Sequence, residues 1–223
     1  MTTKSQPRLV VLLSGSGSNL QAFIDATKNG TLNADIAAVI SNKSGVMGLD
    51  RAQNAGITNE VIDHREFADR ETFDQTLADQ IESYKPDLVI LAGFMRILTP
   101  EFVDRFAGRI MNIHPSLLPK YPGLHTHQRA IDAGDSNAGA TVHFVTSQLD
   151  GGPAIVQAEV PILTGDDADK LASRVLVQEH QIYPLAAQWF CEGRLSLNNC
   201  RPQLDGKTLP DSGFAFSDII TES

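Results

Sequence analysis

Short apolar runs that alternate with helical patterns constrain this chain more than any other feature. Residues 9–13 (LVVLL), 34–40 (ADIAAVI) and 88–92 (LVILA) have the length of buried strands and are too short for buried helices. A stretch with Leu20, Phe23 and Ile24 on one face follows the first run. Residues 46–55 predict a second helix and 57–62 a further strand. Phe73, Leu77, Ile81 and Tyr84 then recur at helical spacing, and a short helix at 100–106 precedes a strand at 109–114. Strands separated in this way imply βαβ units and a mainly parallel sheet. After residue 120 the rhythm changes, because 140–144 and 154–160 read as strands joined by a loop. The expectation is an α/β fold: one Rossmann-like domain with a mostly parallel, mixed sheet flanked by helices. A long helix over 167–190 completes it, opened by Asp166 and Asp167 where acidic charge suits a helix start. The expected domain covers 1–194, with 195–223 as an appendage that carries a hairpin near Asp205-Gly206 and a partly ordered tail.

Composition removes several classes of function. Eighteen Lys and Arg stand against 27 Asp and Glu, a net charge of −9 with no long basic run, which argues against nucleic-acid binding. Cys191 and Cys200 are the two cysteines and no CxxC occurs, so neither a zinc ribbon nor a disulfide scaffold fits. Lys4 and Arg8 precede an apolar run of five residues, short of the roughly 7–15 of a secretory signal. No run approaches the ~20 residues of a membrane span. These readings place the chain in the cytoplasm, away from membranes.

Three motifs carry possible chemistry. Gly15-Ser16-Gly17-Ser18-Asn19 follows the first strand and opens a helix, where free backbone N–H groups can receive a phosphate. It is neither a Walker loop nor a dinucleotide fingerprint, and a simple tight turn fits it equally well. Ser18 and Gln21 have the spacing of a capping box. Asn112 and His114 lie two apart on a strand that ends at Pro115, so both project to one face at the carboxyl edge of the sheet. An amide beside an imidazole suits an oxyanion on an attacked carbonyl; a histidine bonded to a neighbouring loop is the plainer alternative. Asp150, before Gly151-Gly152-Pro153, is either a turn residue or the carboxylate that orients the imidazole.

Two charges sit oddly for structure alone. Arg70 lies near a helix start, against the dipole, and Glu179 falls on the apolar stripe of the long helix with Leu171, Val175, Ile182, Ala186 and Trp189. His125-Thr126-His127 lacks the further ligands of a metal site, so no metal is expected. His64, His143 and His180 read as surface or core residues.

The run from Asn112 to Gly123, NIHPSLLPKYPG, resembles the signature of the folate-dependent formyltransferases. The similarity extends through GLHTHQRAI, TVHFVTSQLDGGP and QEHQIYPLAAQWF, and upstream through SGSGSNLQA and LAGFMRILTP, over about residues 9–209. It implies an enzyme that moves the formyl group of 10-formyltetrahydrofolate, its co-substrate, to the amino group of glycinamide ribonucleotide in purine biosynthesis. By motif matching Asn112, His114 and Asp150 correspond to the catalytic trio. Gly17, Ser18 and Asn19 correspond to the phosphate loop, and Glu179 to the carboxylate that holds the ribose. Arg70, Met95, Arg96, Ile97, Leu98, Asn112, Thr146, Ser147, Gln148, Leu149 and Asp150 correspond to folate contacts. The resemblance further implies a stand-alone monomer or weak homodimer without metal. The rival readings are a formyltetrahydrofolate hydrolase, which generally carries an added amino-terminal domain, and a silent binder of a phosphorylated ligand. A methionyl-tRNA formyltransferase would add a carboxy-terminal domain and a basic surface.

Overall fold

The leucines and valines after Arg8 form β1 (Arg8–Leu13), five of whose six residues are buried. The computed structural model describes residues 6–217, in two compact units that divide between Met111 and Asn112. In the first unit β1 pairs in parallel with β2 (Asp35–Ser41), and β2 with β3 (Asn59–Val61). On its other side β1 pairs in parallel with β4 (Leu88–Leu91), giving the order β3-β2-β1-β4. Between these strands run α1 (Ser18–Asn29), α2 (Met47–Asn54) and α3 (Arg70–Ser83), and α4 (Pro100–Arg105) follows β4. The parallel βαβ expectation therefore holds here, strand by strand. α3 buries Phe73, Leu77 and Ile81, the residues whose spacing predicted it.

One local expectation fails. Ser18 does not cap α1: Gly17 occupies the cap position at φ 68°, in the left-handed region, and no side chain bonds there. The turn needs a glycine twice over, since a Cβ on Gly17 would also lie 2.6 Å from Cα of Gly48. Gln21 instead donates to Asp25 and accepts from Arg51.

The second unit carries the change of rhythm. β5 (Ile110–His114) lies beside β6 (Asn137–Phe144), which pairs antiparallel with β7 (Ala154–Pro161). A short strand, β11 (Phe214–Ala215), adds in parallel to β7. The helix α5 (Thr126–Asp132), between β5 and β6, was not expected from the sequence. The long helix is α6 (Ala168–Cys191); the Asp167 side chain accepts from Lys170 N–H at its start, and its apolar stripe packs on β6 and β7. Asp166 serves otherwise, receiving two hydrogen bonds from Arg174. Within the expected appendage, β8 (Leu195–Asn198), β9 (Arg201–Leu204) and β10 (Lys207–Thr208) form a separate antiparallel sheet, whereas β11 returns to the sheet of β7. Asp205-Gly206 does make the β9–β10 turn, with positive φ at both residues. The end of the expected partly ordered tail, 218–223, lies outside the described residues.

β6 and β7 meet so closely at Gly139 that a Cβ there would stand 2.0 Å from the Ala158 carbonyl oxygen and 2.7 Å from Leu117. Gly139→Ala is therefore expected to cost about 1–3 kcal/mol or more in urea-unfolding free energy; an unchanged midpoint would contradict this packing.

Candidate active site

In the first unit the β1–α1 loop is built by its neighbour α2. Gly48 N–H donates to the Gly15 carbonyl at 3.0 Å, and Arg51 Nε donates to the Ser16 carbonyl at 2.9 Å. These bonds hold the loop with Gly17 at the cap and Ser18 and Asn19 in the first turn of α1, the turn whose backbone N–H groups have no helical partner. Gly48 and Arg51 escaped the sequence reading, because a glycine and an arginine inside a helix pattern carry no local signal.

The other expected residues of this unit lie on and around α3. Arg70 is the first residue of that helix, after Asp69, whose carboxylate accepts from Thr72 N–H at 2.7 Å. The stretch Met95, Arg96, Ile97 and Leu98 follows β4 without regular structure; Met95 and Ile97 are 66% and 56% exposed, while Leu98 is buried. Met95 N–H donates to Ser14 Oγ at 2.8 Å, and the Arg96 guanidinium lies 4.8 Å from the centre of the Phe73 ring. Asp74, buried on α3, accepts from Thr99 N–H at 2.6 Å. Burial pushes its carboxyl pKa up, against the Thr99 bonds and the charges of Arg96 and Arg70.

The second unit contains all three residues of the expected trio. Asn112 and His114 share a face of β5, two residues apart. His114 is buried with an acceptor at each ring nitrogen: Nδ1 lies 3.5 Å from Asp150 Oδ2, and Nε2 2.8 Å from the Tyr121 carbonyl. A neutral ring donates to only one of them, whereas the imidazolium donates to both. Asp150 is aimed by Gly123 N–H, which donates to the same carboxylate oxygen at 2.8 Å. Its backbone is left-handed at φ 49°, a conformation that aspartate tolerates better than most residues. Gly152 returns the loop so tightly that a Cβ would lie 1.8 Å from the Phe144 carbonyl oxygen. Thr146, Ser147, Gln148 and Leu149 form this β6–β7 loop, with Gly151 N–H on the Gln148 carbonyl and Leu149 54% exposed.

The side-chain partner of Asn112 is a second histidine: its Nδ2 lies 3.2 Å from His143 Nε2. His143 Nδ1 is 2.9 Å from the Phe144 carbonyl, a pure acceptor, so that nitrogen carries the proton. Nε2 then accepts from the Asn112 amide, which fixes which end of the amide is the donor and leaves its second N–H for a ligand. Burial pushes the His143 pKa down, partly opposed by the Phe144 carbonyl. The sequence reading set His143 aside as a core or surface residue. The one available signal was its place in the TVHFVTSQLDGGP segment, on the same alternating face as Thr141. Glu179 lies buried on the apolar stripe of α6, as its register predicts. His125 and His127 belong to the start of α5; burial, then the charge of His114, pushes the His127 pKa down. Among the described residues no cluster of three or more His, Cys, Asp or Glu could hold a metal ion.

A model of the formyl transferase family matches residues 7–187. The chain belongs to the formyl transferase family. This formyl transferase is 53% identical to the phosphoribosylglycinamide formyltransferase of Escherichia coli, over 93% of the chain and 98% of that relative. The solved phosphoribosylglycinamide formyltransferase of Coxiella burnetii, a complex with CHES, superposes with a TM-score of 0.92. It is 50% identical and covers 95% of this chain and all of its own. The trifunctional purine biosynthetic protein of Drosophila melanogaster is 50% identical over 86% of this chain, which spans 14% of that protein. The chain is thus an enzyme of the transferase class, with the α/β fold and formyl-transfer chemistry of purine biosynthesis. Among the described residues no helix is long and apolar enough to cross a membrane.

The depressed pKa values of His143 and His127 have a consequence for stability. Below the ordinary histidine value of ~6.5 the unfolded chain takes up protons that these buried rings resist, so stability falls as pH drops from there. Urea midpoints at pH 7.5 and 5.5 should differ by less in His143→Gln, which can still donate and accept, than in the unaltered chain. An equal drop in both would contradict a neutral His143.

Proposed function

We propose that this chain transfers the formyl group of 10-formyltetrahydrofolate to the amino group of glycinamide ribonucleotide, with Asn112, His114 and Asp150 as catalytic residues. The observation that carries the assignment is the pairing of an oriented amide donor, Asn112 on His143, with a buried imidazole backed by Asp150, at one strand end. That donor set fits a carbonyl oxygen that gains negative charge.

The substrate amine attacks the formyl carbon, and a new C–N bond forms as the carbonyl becomes a tetrahedral oxyanion. The free N–H of Asn112 donates to that oxygen, and His114, as the imidazolium, sets a positive charge beside it. Asp150 gives the ring N–H an acceptor and relays the amine's proton, through water, to the folate nitrogen. The bond from carbon to that nitrogen then breaks, which releases tetrahydrofolate and the formylated nucleotide. The amine is already a competent nucleophile, so holding both reactants in line is the larger task of the protein.

In this reading the nucleotide phosphate is received by backbone N–H groups at Gly17, Ser18 and Asn19, and Glu179 holds the ribose hydroxyls. Arg70, the Met95–Leu98 stretch, Asn112 and the Thr146–Asp150 loop take the folate. The loop's tie to α2 and the exposed Met95, Ile97 and Leu149 support these roles. Both substrates are anions and the chain carries −9, so local donors must outweigh a repulsive mean field. Residues 1–194 act as the formyltransferase domain and 195–223 as its appendage, in a cytoplasmic monomer or weak homodimer; the family match ending at 187 supports that division.

Asn112→Ala should lower kcat by about 10²–10³ with both substrates saturating, measured by folate release; near-normal turnover would remove Asn112 from the mechanism. Gly17→Ala, strained by its φ of 68° and its approach to Gly48, should raise KM for the nucleotide and leave KM for the formyl donor unchanged. A rise in the donor's KM alone would detach the loop from phosphate binding.

A further inference from the structure

The stretch Met95–Leu98 has no helix or strand to hold it, yet the proposed folate contacts require it to be in register. Its backbone is gripped at two points by side chains. At the start, Met95 N–H donates to Ser14 Oγ at 2.8 Å. At the end, Thr99 N–H donates to Asp74 Oδ2 at 2.6 Å. Between these points Arg96 lies over the Phe73 ring at 4.8 Å. Phe73 and Asp74 are adjacent on α3, both 1% exposed, and Arg70 stands one turn before them on the same helix.

Asp74 is an expensive way to make one hydrogen bond. A buried carboxylate needs partners, and Oδ1 of Asp74 has no hydrogen-bond partner among the described residues. Burial raises its pKa, and the opposing pull comes first from the bonds to Thr99 and only then from the charges of Arg96 and Arg70. A core leucine at this point of α3 would be cheaper for stability, but it could not hold the Thr99 backbone N–H.

We infer that Asp74 is a positioning residue for the formyl donor: through Thr99 N–H it fixes one end of the Met95–Leu98 segment, whose other end Ser14 holds. This role rests on the proposed folate site. Asp74 touches no substrate itself, and it does not act on the nucleotide.

The test is steady-state kinetics on the full chain with each substrate varied in turn. Asp74→Ala should raise KM for the formyl donor about tenfold, with kcat and the nucleotide's KM within about twofold. Asp74→Asn keeps an acceptor for Thr99 N–H and should recover most of that loss. If Asp74→Ala does not fold, Thr99→Pro carries the same readout. Thr99 already has φ −70°, so proline removes the donor at little backbone cost. Thr99→Ala is its control for the lost cap on Phe102 and should leave the donor's KM near normal. Arg70→Ala separates the two ways of failing. If it raises the donor's KM while the Asp74 and Thr99→Pro variants do not, the positioning role is overturned and the folate site stands. If none of them moves the donor's KM, both are overturned. An equal rise in both substrates' KM would reduce Asp74 to general structural support, and that also overturns the role.

Discussion

The buried imidazole of His114 has an acceptor at each nitrogen, and much of the second unit is arranged to keep it so. One acceptor is the Tyr121 carbonyl and the other the Asp150 carboxylate, itself aimed by Gly123 N–H. Tyr121, Gly123 and Asp150 all have positive φ, so the backbone bends where these groups must converge. The loop from β5 to α5 is tied down in turn: Thr141 Oγ1 donates to the Ser116 carbonyl and accepts from Leu118 N–H. Lys120 and the Tyr121 hydroxyl both bond Asp135. Such a network is costly to leave half satisfied, which is why it holds one geometry.

Beside it, a second histidine does the opposite job with the same side chain. His143 is buried, which pushes its pKa down and favours the neutral ring, one nitrogen donating to a carbonyl and the other accepting from Asn112. A neutral acceptor is what an amide needs if its N–H is to be the end presented to an oxyanion. Two imidazoles near one strand edge thus serve different ends because one faces two acceptors and the other faces an acceptor and a donor.

The legible part of the fold was the part governed by periodicity. β1, β2, β4 and the stripes of α3 and α6 follow from runs and spacings that admit one burial solution. α5 was missed because its seven residues, with two of them buried, give no stripe to detect. The capping box failed because Ser18 and Gln21 have the right spacing one residue too late, and Gly17 takes the cap through its backbone alone. Of the site, Asn112 and His114 were legible as a pair on a strand ending at proline. Their third partner, Asp150, 36 residues beyond His114, was legible as a candidate carboxylate but not as a neighbour of His114: no rule of local spacing brings it back to β5, and only the family resemblance joined it to the pair. His143 and Asp74 were invisible for a related reason: each matters through a contact with a residue far off in sequence, Asn112 in one case and Thr99 in the other.

The central claim is that this strand-end apparatus moves a formyl group between two bound molecules and does not merely cut it from one. The most direct measurement follows isotopically labelled formyl from 10-formyltetrahydrofolate, with and without glycinamide ribonucleotide. Transfer between the two molecules should give one labelled formyl-nucleotide for each tetrahydrofolate released, and no release when the nucleotide is omitted. Labelled formate appearing at the same rate with or without the nucleotide would contradict it.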